Sequence, residues 1–452
     1  MGEKIRVGYA RADMTPGESV PLAGYGNTLN RMSQGALEPL MATCLAVTDE
    51  KENTLLLFSL DIVSTRDAYC LAAREQISKR YGIPIASIVL VATHTHSAPD
   101  MAQKDFPAIQ RYSQHLVSLL VETAGKALAD RKKAVLQCGR TYNEGMNYVR
   151  HYIQKDGSIL GDNFGDPTTA QLHSHVSEAD REIRLVKFQR EGGKDILLVN
   201  WQAHPNLAST IATEYGRSHR PYISADYVGA CRSYVEEKAD VHFAFFLGAA
   251  GNINSRSRLD SEIDTRDHNC YGRQLGDYVL EGMKSLQPLK HGSVAASVQT
   301  LTCRLNHTED HLVPMAKEIR VEWAKSNDAR KCMQLGQPYG IHSAYHAGSI
   351  IAKADMPTHT TIDLGAGRIG EIGLAFMPYE MFDTNGKYVR EESPFDMTLV
   401  FSCANGGHSY IPSARGFEHG CYEADQCRFA PGTGEEAAEL VVSMLHTLHK
   451  EA

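Results

Sequence analysis

Short apolar runs bounded by turn residues recur along the chain, and their length and β-branched content are typical of buried strands. Six runs predict strands, at Thr54–Leu60, Ile88–Ala92, Ile196–Trp201, Val241–Leu247, Ile372–Met377 and Leu399–Cys403. Stretches of helical period between them predict helices at Asp67–Tyr81, Pro107–Asp130, Ala225–Lys238 and Thr433–Lys450. Strands that alternate with helices in this way indicate an α/β protein.

No domain boundary is visible in the sequence. Internal repeats, low-complexity tracts and long linkers are all absent from the 452 residues. We therefore predict a single domain over residues 1–452. The segment around 303–360 lacks clear strand signals and is predicted to be a mostly helical excursion inside that domain.

Composition narrows the class of protein. The hydrophobic share of 42% and the charged share of 22% are close to globular values, which excludes a disordered or fibrous chain. A net charge of −8 argues against a broad nucleic-acid surface. No apolar run is long enough to span a bilayer, and the ten cysteines are scattered. We expect a cytoplasmic protein with a small-molecule substrate, no nucleic acid and no stable membrane anchoring. A homo-oligomeric state is compatible with the sequence.

Polar side chains follow the predicted strands. Those that come just after an apolar run are Asp61, His94, His96, His204, Asn252, Glu380, His408 and Tyr410. In an open α/β sheet the ligand crevice lies outside the carboxyl ends of the strands. We therefore expect these side chains to converge on one place.

The segment His94-Thr95-His96 is the sharpest local signal. Residues i and i+2 of an extended segment share a face, so both imidazoles can reach one ion, and imidazole suits zinc, copper, iron and nickel. His204 and Glu380 are the natural further ligands, because catalytic zinc needs at least three protein ligands and an open position. Each of them alone also fits a structural role, as a hydrogen-bonded histidine or a solvated carboxylate.

Three other features have competing interpretations. Asp61 either orients a metal-bound imidazole or caps a helix. A second H-x-H pair, His173 and His175, lies in a predicted loop without a preceding strand, which disfavours metal binding. The stretch Gly365–Gly370 matches G-x-G-x-x-G, but a strand follows it where a phosphate-binding helix should begin, so we predict a turn between strands.

The stretch Ala92-Thr-His-Thr-His-Ser-Ala-Pro99 resembles the ATHTHSGP signature of the neutral/alkaline, non-lysosomal ceramidase family. Further segments match in family order from about residue 6 to 423, and these include Asn147–Arg150, Ala203-His204, Gly251-Asn252, Met377–Glu380 and Tyr422-Glu423. The resemblance implies the fold of the family's catalytic domain, with mixed sheets and flanking helices. The family's C-terminal immunoglobulin-like domain has no counterpart in the match.

The resemblance also implies a site. A single Zn²⁺ would be bound by His94, His204, Glu380 and Tyr410. His96 would contact the reacting group, and Arg150 and Tyr422 would hold or polarise the substrate. Residues proposed to line the substrate pocket are Asp61, His151, Asn252, Asn254 and His408. Asn254 stands where ceramidases carry a serine.

These implications predict a zinc-dependent hydrolase in which hydroxide formed on the metal cleaves an amide (N-acyl) or similar bond in a small polar substrate. Two alternatives stay open. One is a metalloenzyme of sugar catabolism that processes a glycoside, ester or lactone. The other is a homologue that binds its ligand without catalysis, which the change to Asn254 allows.

Overall fold

The computed structural model describes residues 5–25, 30–162, 171–213, 216–259, 267–290 and 292–450. The strands there are β1 Ile5–Asp13, β2 Met41–Thr48, β3 Thr54–Leu60, β4 Ile88–Ala92, β5 Lys132–Tyr142, β6 Tyr148–Val149, β7 His151–Gln154, β8 Ile159–Gly161, β9 Leu172–His175, β10 Glu182–Arg190, β11 Asp195–Trp201, β12 Thr210–Thr213, β13 Gly216–His219, β14 Val241–Leu247, β15 Ile253–Asn254, β16 Gln287–Pro288, β17 Val294–Arg304, β18 His359–Ile369, β19 Ile372–Phe376, β20 Glu380–Met381, β21 Met397–Phe401 and β22 Tyr410–Ile411. The α-helices are α1 Asp67–Tyr81, α2 Pro107–Ala129, α3 Asp226–Lys238, α4 His268–Met283, α5 Val313–Ser326, α6 Ala329–Gly336, α7 Ala344–Ala354, α8 Asp383–Glu391, α9 Ala414–Glu418, α10 Tyr422–Gln426 and α11 Thr433–Lys450.

Two mixed sheets form the centre of the fold. In the larger, strands lie in the order β14-β11-β10-β5-β1-β2-β3-β4, and β16 pairs with β5. Its interior pairs are antiparallel, whereas β14 with β11 and β3 with β4 are parallel at its two ends. The smaller sheet has the order β17-β18-β19-β21, with β19 and β21 parallel. These sheets confirm the predicted α/β class with mixed sheets and flanking helices.

The two sheets pack face to face between layers of helices. Buried side chains from both sheets, such as Leu57 and Leu374, form the interface between them. Helices α1 to α4 cover the outer face of the larger sheet, and α8 and α11 cover that of the smaller one. In β3, Leu55 and Leu57 face the other sheet while Leu56 and Phe58 face the helices. Burial on both faces explains why the strands read as continuous apolar runs.

The predicted elements are present with small shifts at their ends. All six predicted strands and all four predicted helices occur, and no boundary differs by more than two residues. The strands that sequence patterns missed include β5 and β17, which are partly exposed along most of their length. Their mixed burial breaks the apolar run that marks the central strands.

The predicted helical excursion lies between β17 and β18. It contains α5, α6 and α7 with two short 3-10 turns, and it has a small apolar core of its own that includes Ile319 and Ile350. The flanking strands pair antiparallel along their whole length, from Val294 with Ile369 to Arg304 with His359. The strands therefore extend slightly into the predicted segment. The single-domain organisation stays a prediction.

The prediction of a turn over Gly365–Gly370 is wrong for most of the stretch. Gly365 and Gly367 lie inside β18, and only Gly370, with φ +58°, lies at the turn to β19. A Cβ atom at Gly365 would come within 2.7 Å of the ring of Phe376. These glycines therefore make room for an aromatic side chain in the sheet interface, which letter matching could not show.

Close packing of α3 on α4 gives a test of the fold. A Cβ atom at Gly272 of α4 would lie 2.5 Å from the backbone oxygen of Tyr227 in α3. We expect Gly272→Ala to lower the free energy of unfolding by about 1–3 kcal/mol, because two helix backbones must separate. Urea denaturation measures the change.

The matched control is Gly348→Ala in α7, where the nearest atoms to a new Cβ are 3.9 Å away on Arg320. Here the higher helix propensity of alanine should stabilise the protein by up to about 1 kcal/mol. Equal unfolding free energies for the two variants would contradict the packing of α3 on α4.

Candidate metal centre

His94 lies just beyond β4 and is held by the backbone that follows β3. Its N–H donates to the Ile62 carbonyl at 2.9 Å, and its ring Nδ1 donates to the Val63 carbonyl at 2.6 Å. His94 adopts a φ of +71°, which is uncommon for a residue with a side chain. Because a carbonyl only accepts, Nδ1 carries the proton and Nε2 keeps its lone pair.

His204 is oriented in the same way beyond β11. Its Nδ1 donates to the Ile253 carbonyl at 3.0 Å, which leaves the Nε2 lone pair free to bind an ion. His96 is anchored by its N–H, which donates to the Pro205 carbonyl at 3.0 Å. The three histidines are buried, and each offers a ring nitrogen within 4.8 Å of the others. This group could hold a metal ion.

Glu380 completes the cluster from the beginning of β20. Its Oε2 lies 3.2 Å from Nε2 of His94 and 3.3 Å from Nε2 of His204. Within the part of the chain that the structure describes, these three buried atoms have no hydrogen-bond partner. Acceptors that face one another in this way repel unless a cation lies between them. The donor set therefore fits a metal ion.

Tyr410 is brought to the same place by strand pairing. It lies opposite Glu380 in the parallel ladder of β20 and β22. Its ring is 5.5 Å from the guanidinium carbon of Arg150 and 5.7 Å from the ring of Tyr422. The predicted ligands and the predicted catalytic side chains are thus neighbours, although no local sequence signal connects them.

The pKa shifts of the cluster also indicate that a positive charge is favoured there. Burial alone would lower the pKa of His94, but the Glu380 carboxylate outweighs it and raises that pKa well above 6.5. Burial would raise the pKa of Glu380, yet His94 and His204 hold it well below 4.5. Burial lowers the pKa of His204 to about 4 and that of His96 well below 6.5. The opposite shifts of His94 and Glu380 both show that positive charge is favoured beside this carboxylate.

Arg150 is held by the carboxylate of Glu423, a residue outside the predicted site. Its Nε donates to Oε1 of Glu423 at 2.5 Å, and a terminal nitrogen donates to the Gly251 carbonyl at 2.9 Å. The other oxygen of Glu423 accepts from Nε2 of His151 at 2.8 Å. Burial alone would raise the pKa of Glu423, but Arg150 and His151 lower it to about 2. The only signal for Glu423 was its place beside Tyr422 in the matched segment.

The turn after β14 sets the position of Glu380. The N–H of Gly251 donates to the Met381 carbonyl at 2.8 Å. A Cβ atom at Gly251 would lie 2.6 Å from the backbone oxygen of Glu380. Glycine is therefore required for the two backbones to approach this closely.

Asp61 does not orient a site imidazole. Its Oδ2 accepts from Arg232 at 2.6 Å and from the backbone N–H of Met41 at 2.8 Å. The imidazole of His94 is oriented instead by the carbonyl of Val63, which accepts a hydrogen bond from Nδ1. The alternative role as a helix cap is also wrong, since α1 begins without a side-chain cap. Asp61 has a buried guanidinium as its partner, which sequence patterns did not reveal.

The two asparagines proposed for the substrate pocket contact other protein groups. The side chain of Asn252 donates to Asp383 at 2.6 Å and accepts from its backbone N–H at 2.9 Å. Asn254 donates to Asp162 at 2.6 Å, and Arg258 donates to the other oxygen of that carboxylate at 3.1 Å. Their role in binding a substrate stays a prediction.

Histidines outside the cluster are engaged elsewhere. Nδ1 of His408 contacts the guanidinium of Arg428. His173 and His175 lie in β9 rather than in a loop, which corrects the expectation for this pair. Nδ1 of His175 donates to the Val149 carbonyl at 2.5 Å, and Nε2 contacts the Ser257 hydroxyl at 3.0 Å. Both ring nitrogens of His175 are therefore used within the protein.

The architecture and the site define an α/β protein with a buried, histidine-rich centre that could hold a metal ion. The fold is similar to that of neutral ceramidase from Pseudomonas aeruginosa, with a TM-score of 0.73, 15% identity and coverage of 100% of this chain and 75% of that chain. A ceramidase complexed with C2 gives a TM-score of 0.74, 15% identity and coverage of 99% and 76%. No family model and no curated protein matches the sequence. The similarity confirms the predicted ceramidase-like fold.

Across the described residues, no helix combines the length and the apolar character needed to cross a membrane.

The buried ion pair of Arg150 with Glu423 gives a second prediction. Glu423→Gln should lower the free energy of unfolding by about 3–5 kcal/mol near neutral pH, because it leaves the charge of Arg150 buried without a carboxylate. Folding lowers the pKa of Glu423 from 4.5 to about 2. The advantage of the wild type should therefore be complete above pH 4.5 and decline as the pH falls toward 2.

Urea unfolding of both proteins at pH 7 and pH 3 measures this difference. Glu418→Gln, at an exposed carboxylate on α9, is the matched control and should change the unfolding free energy little. A gap between wild type and Glu423→Gln that is the same at both pH values would contradict the assignment.

Proposed function

We propose that this protein is a zinc-dependent hydrolase that cleaves an amide (N-acyl) or similar acyl bond in a small polar substrate. The observation that carries the proposal is the set of buried acceptor atoms on His94, His204 and Glu380, which face one another at 3.2–3.3 Å. The ceramidase-like fold supports the same reaction class, since the two solved structures named above are ceramidases.

The residues present suit zinc. Two neutral imidazoles, a carboxylate and the phenol of Tyr410 form a nitrogen and oxygen donor set of the kind that zinc takes. Backbone carbonyls orient the imidazoles of His94 and His204, as outer partners commonly do for metal-bound histidines. When bound, zinc polarises an acyl oxygen and lowers the pKa of a coordinated water toward about 7.

Three side chains near the ligands can serve the reaction. Because the pKa of His96 lies well below 6.5, this imidazole is neutral at pH 7 and offers a hydrogen bond without a charge. Burial raises the pKa of Tyr422 to about 12, so its hydroxyl keeps its proton and can donate to an oxyanion. Burial raises the pKa of Tyr410 well above 10, and the positive charge of Arg150, which Glu423 holds in place, acts against that rise.

The surroundings of His96 support a polar substrate. The ring of Tyr25 meets that of His96 edge-on at 5.1 Å and stacks on His219 at 3.6 Å. The Tyr25 hydroxyl hydrogen-bonds to Ser209 at 2.7 Å and to Thr210 at 3.0 Å. Imidazole groups of His96 and His219 thus lie on either side of the Tyr25 ring, and imidazole nitrogens suit polar substrate atoms better than a hydrocarbon chain.

The first experiment measures metal content and turnover together. His94→Ala should lose one equivalent of zinc per chain and lower kcat/KM by about 10³-fold or more, because the metal supplies the main charge stabilisation. A chelator should abolish the activity of the wild type, and Zn²⁺ should restore it. His115→Ala, at an exposed position of α2, is the control and should behave like the wild type.

The second arm is a panel of N-acyl amines, esters, lactones and glycosides. Turnover of acyl amines is the expected result. Turnover of glycosides alone would overturn the acyl-hydrolase assignment, and tight ligand binding without any turnover would show a binding protein. Unchanged zinc content in His94→Ala would overturn the ligand set.

A further inference from the structure

A second group of potential ligands lies where the helical excursion meets α10. It consists of His342, just before α7, His346 in the first turn of α7, and Asp425 in α10. Each contributes one potential ligand atom, and these atoms lie within 4.8 Å of one another. None of the three belongs to the centre described above.

The proton of His346 can be located from its contacts. The backbone N–H of His342 donates to Nδ1 of His346 at 3.2 Å, so Nδ1 is an acceptor. Nε2 therefore carries the proton and donates to Glu309 at 2.8 Å. Glu309 is fixed in turn by the ammonium of Lys353 at 2.7 Å. Metal-bound histidines are commonly arranged in this way, with a carboxylate accepting a hydrogen bond from one ring nitrogen and the lone pair kept on the other.

Besides accepting from the His342 backbone, Nδ1 of His346 faces a carboxylate. Nδ1 lies 3.6 Å from Oδ1 of Asp425, and the side chains are only 3% and 6% exposed. Both atoms are acceptors, so they cannot hydrogen-bond to each other. The other oxygen of Asp425 accepts a hydrogen bond from Nδ1 of His342 at 3.1 Å, and a bound ion would replace the proton of that bond. The 3.6 Å separation between Nδ1 of His346 and Oδ1 of Asp425 suits two ligands of one ion, whose bonds are about 2.0–2.2 Å long.

We propose that His342, His346 and Asp425 bind a second divalent transition-metal ion, with solvent completing its coordination. Two imidazoles and one carboxylate favour ions such as Zn²⁺ over Ca²⁺ and Mg²⁺, which prefer oxygen ligands throughout. The ion reaches the site from solvent past His342, whose side chain is 48% exposed. Binding replaces the long hydrogen bond between the His342 backbone and His346.

The position of this outer site gives it a mechanical consequence. Asp425 lies three residues after Tyr422 on the five-residue helix α10. A bound ion would tie this helix to α7 and so restrain both Tyr422 and Glu423. If the proposed function holds, loss of the outer ion should also reduce turnover, by a smaller factor than loss of the central one.

Metal analysis after incubation with excess Zn²⁺ and gel filtration tests the proposal. We expect two equivalents per chain in the wild type and one in each of His342→Gln and Asp425→Asn. His311→Gln, an exposed histidine in the same helical segment, is the matched control and should keep two. Because His342 is half-exposed, its variant should fold normally, which circular dichroism checks.

The central variant separates the two proposals. His94→Ala should keep one equivalent, and the double variant His94→Ala/His342→Gln should keep none. A count that falls by one in His342→Gln supports the outer site whatever His94→Ala shows. Unchanged counts in both His342→Gln and Asp425→Asn would overturn it. As a second readout, Zn²⁺ should raise the melting temperature of His94→Ala but not that of the double variant.

Discussion

The structure of the centre depends on buried acceptor atoms that are forced to face one another. The carbonyls of Val63 and Ile253 accept hydrogen bonds from Nδ1 of His94 and His204. These bonds direct the Nε2 lone pairs of the two histidines at Glu380. In a low-dielectric interior this arrangement is costly until a cation joins it. The raised pKa of His94 has the same cause, because the Glu380 carboxylate favours any positive charge beside it, including that of a proton.

The packing of two sheets makes this arrangement possible. Main-chain hydrogen bonds join the strand ends of the two sheets beside the centre, from Ala92 to Cys403 at 3.2 Å and from Ser402 to Leu247 at 3.0 Å. The larger sheet supplies the histidines, and the segments that follow the smaller sheet supply the carboxylate and the phenol. The centre therefore forms only when both sheets are folded and docked.

Helix α10 connects the centre with the helical excursion. Glu423 faces inward and neutralises Arg150, whereas Asp425 faces His342 and His346. Two carboxylates that are two residues apart on one short helix thus contact different parts of the protein. Tyr422, whose ring lies beside that of Tyr410, is three residues from Asp425 on this helix.

The sequence by itself determined the central strands, the main helices and the places where His94, His204 and Glu380 follow strands. These features are local, because burial on both faces of a strand produces a continuous apolar run. Only the tertiary structure decided the partners. Asp61 pairs with Arg232, a helix residue 171 positions further along the chain, and Arg150 pairs with Glu423, 273 positions further along. It also placed Gly365 and Gly367 within a strand, against Phe376. Such pairings depend on how layers dock, and local periodicity carries no information about docking.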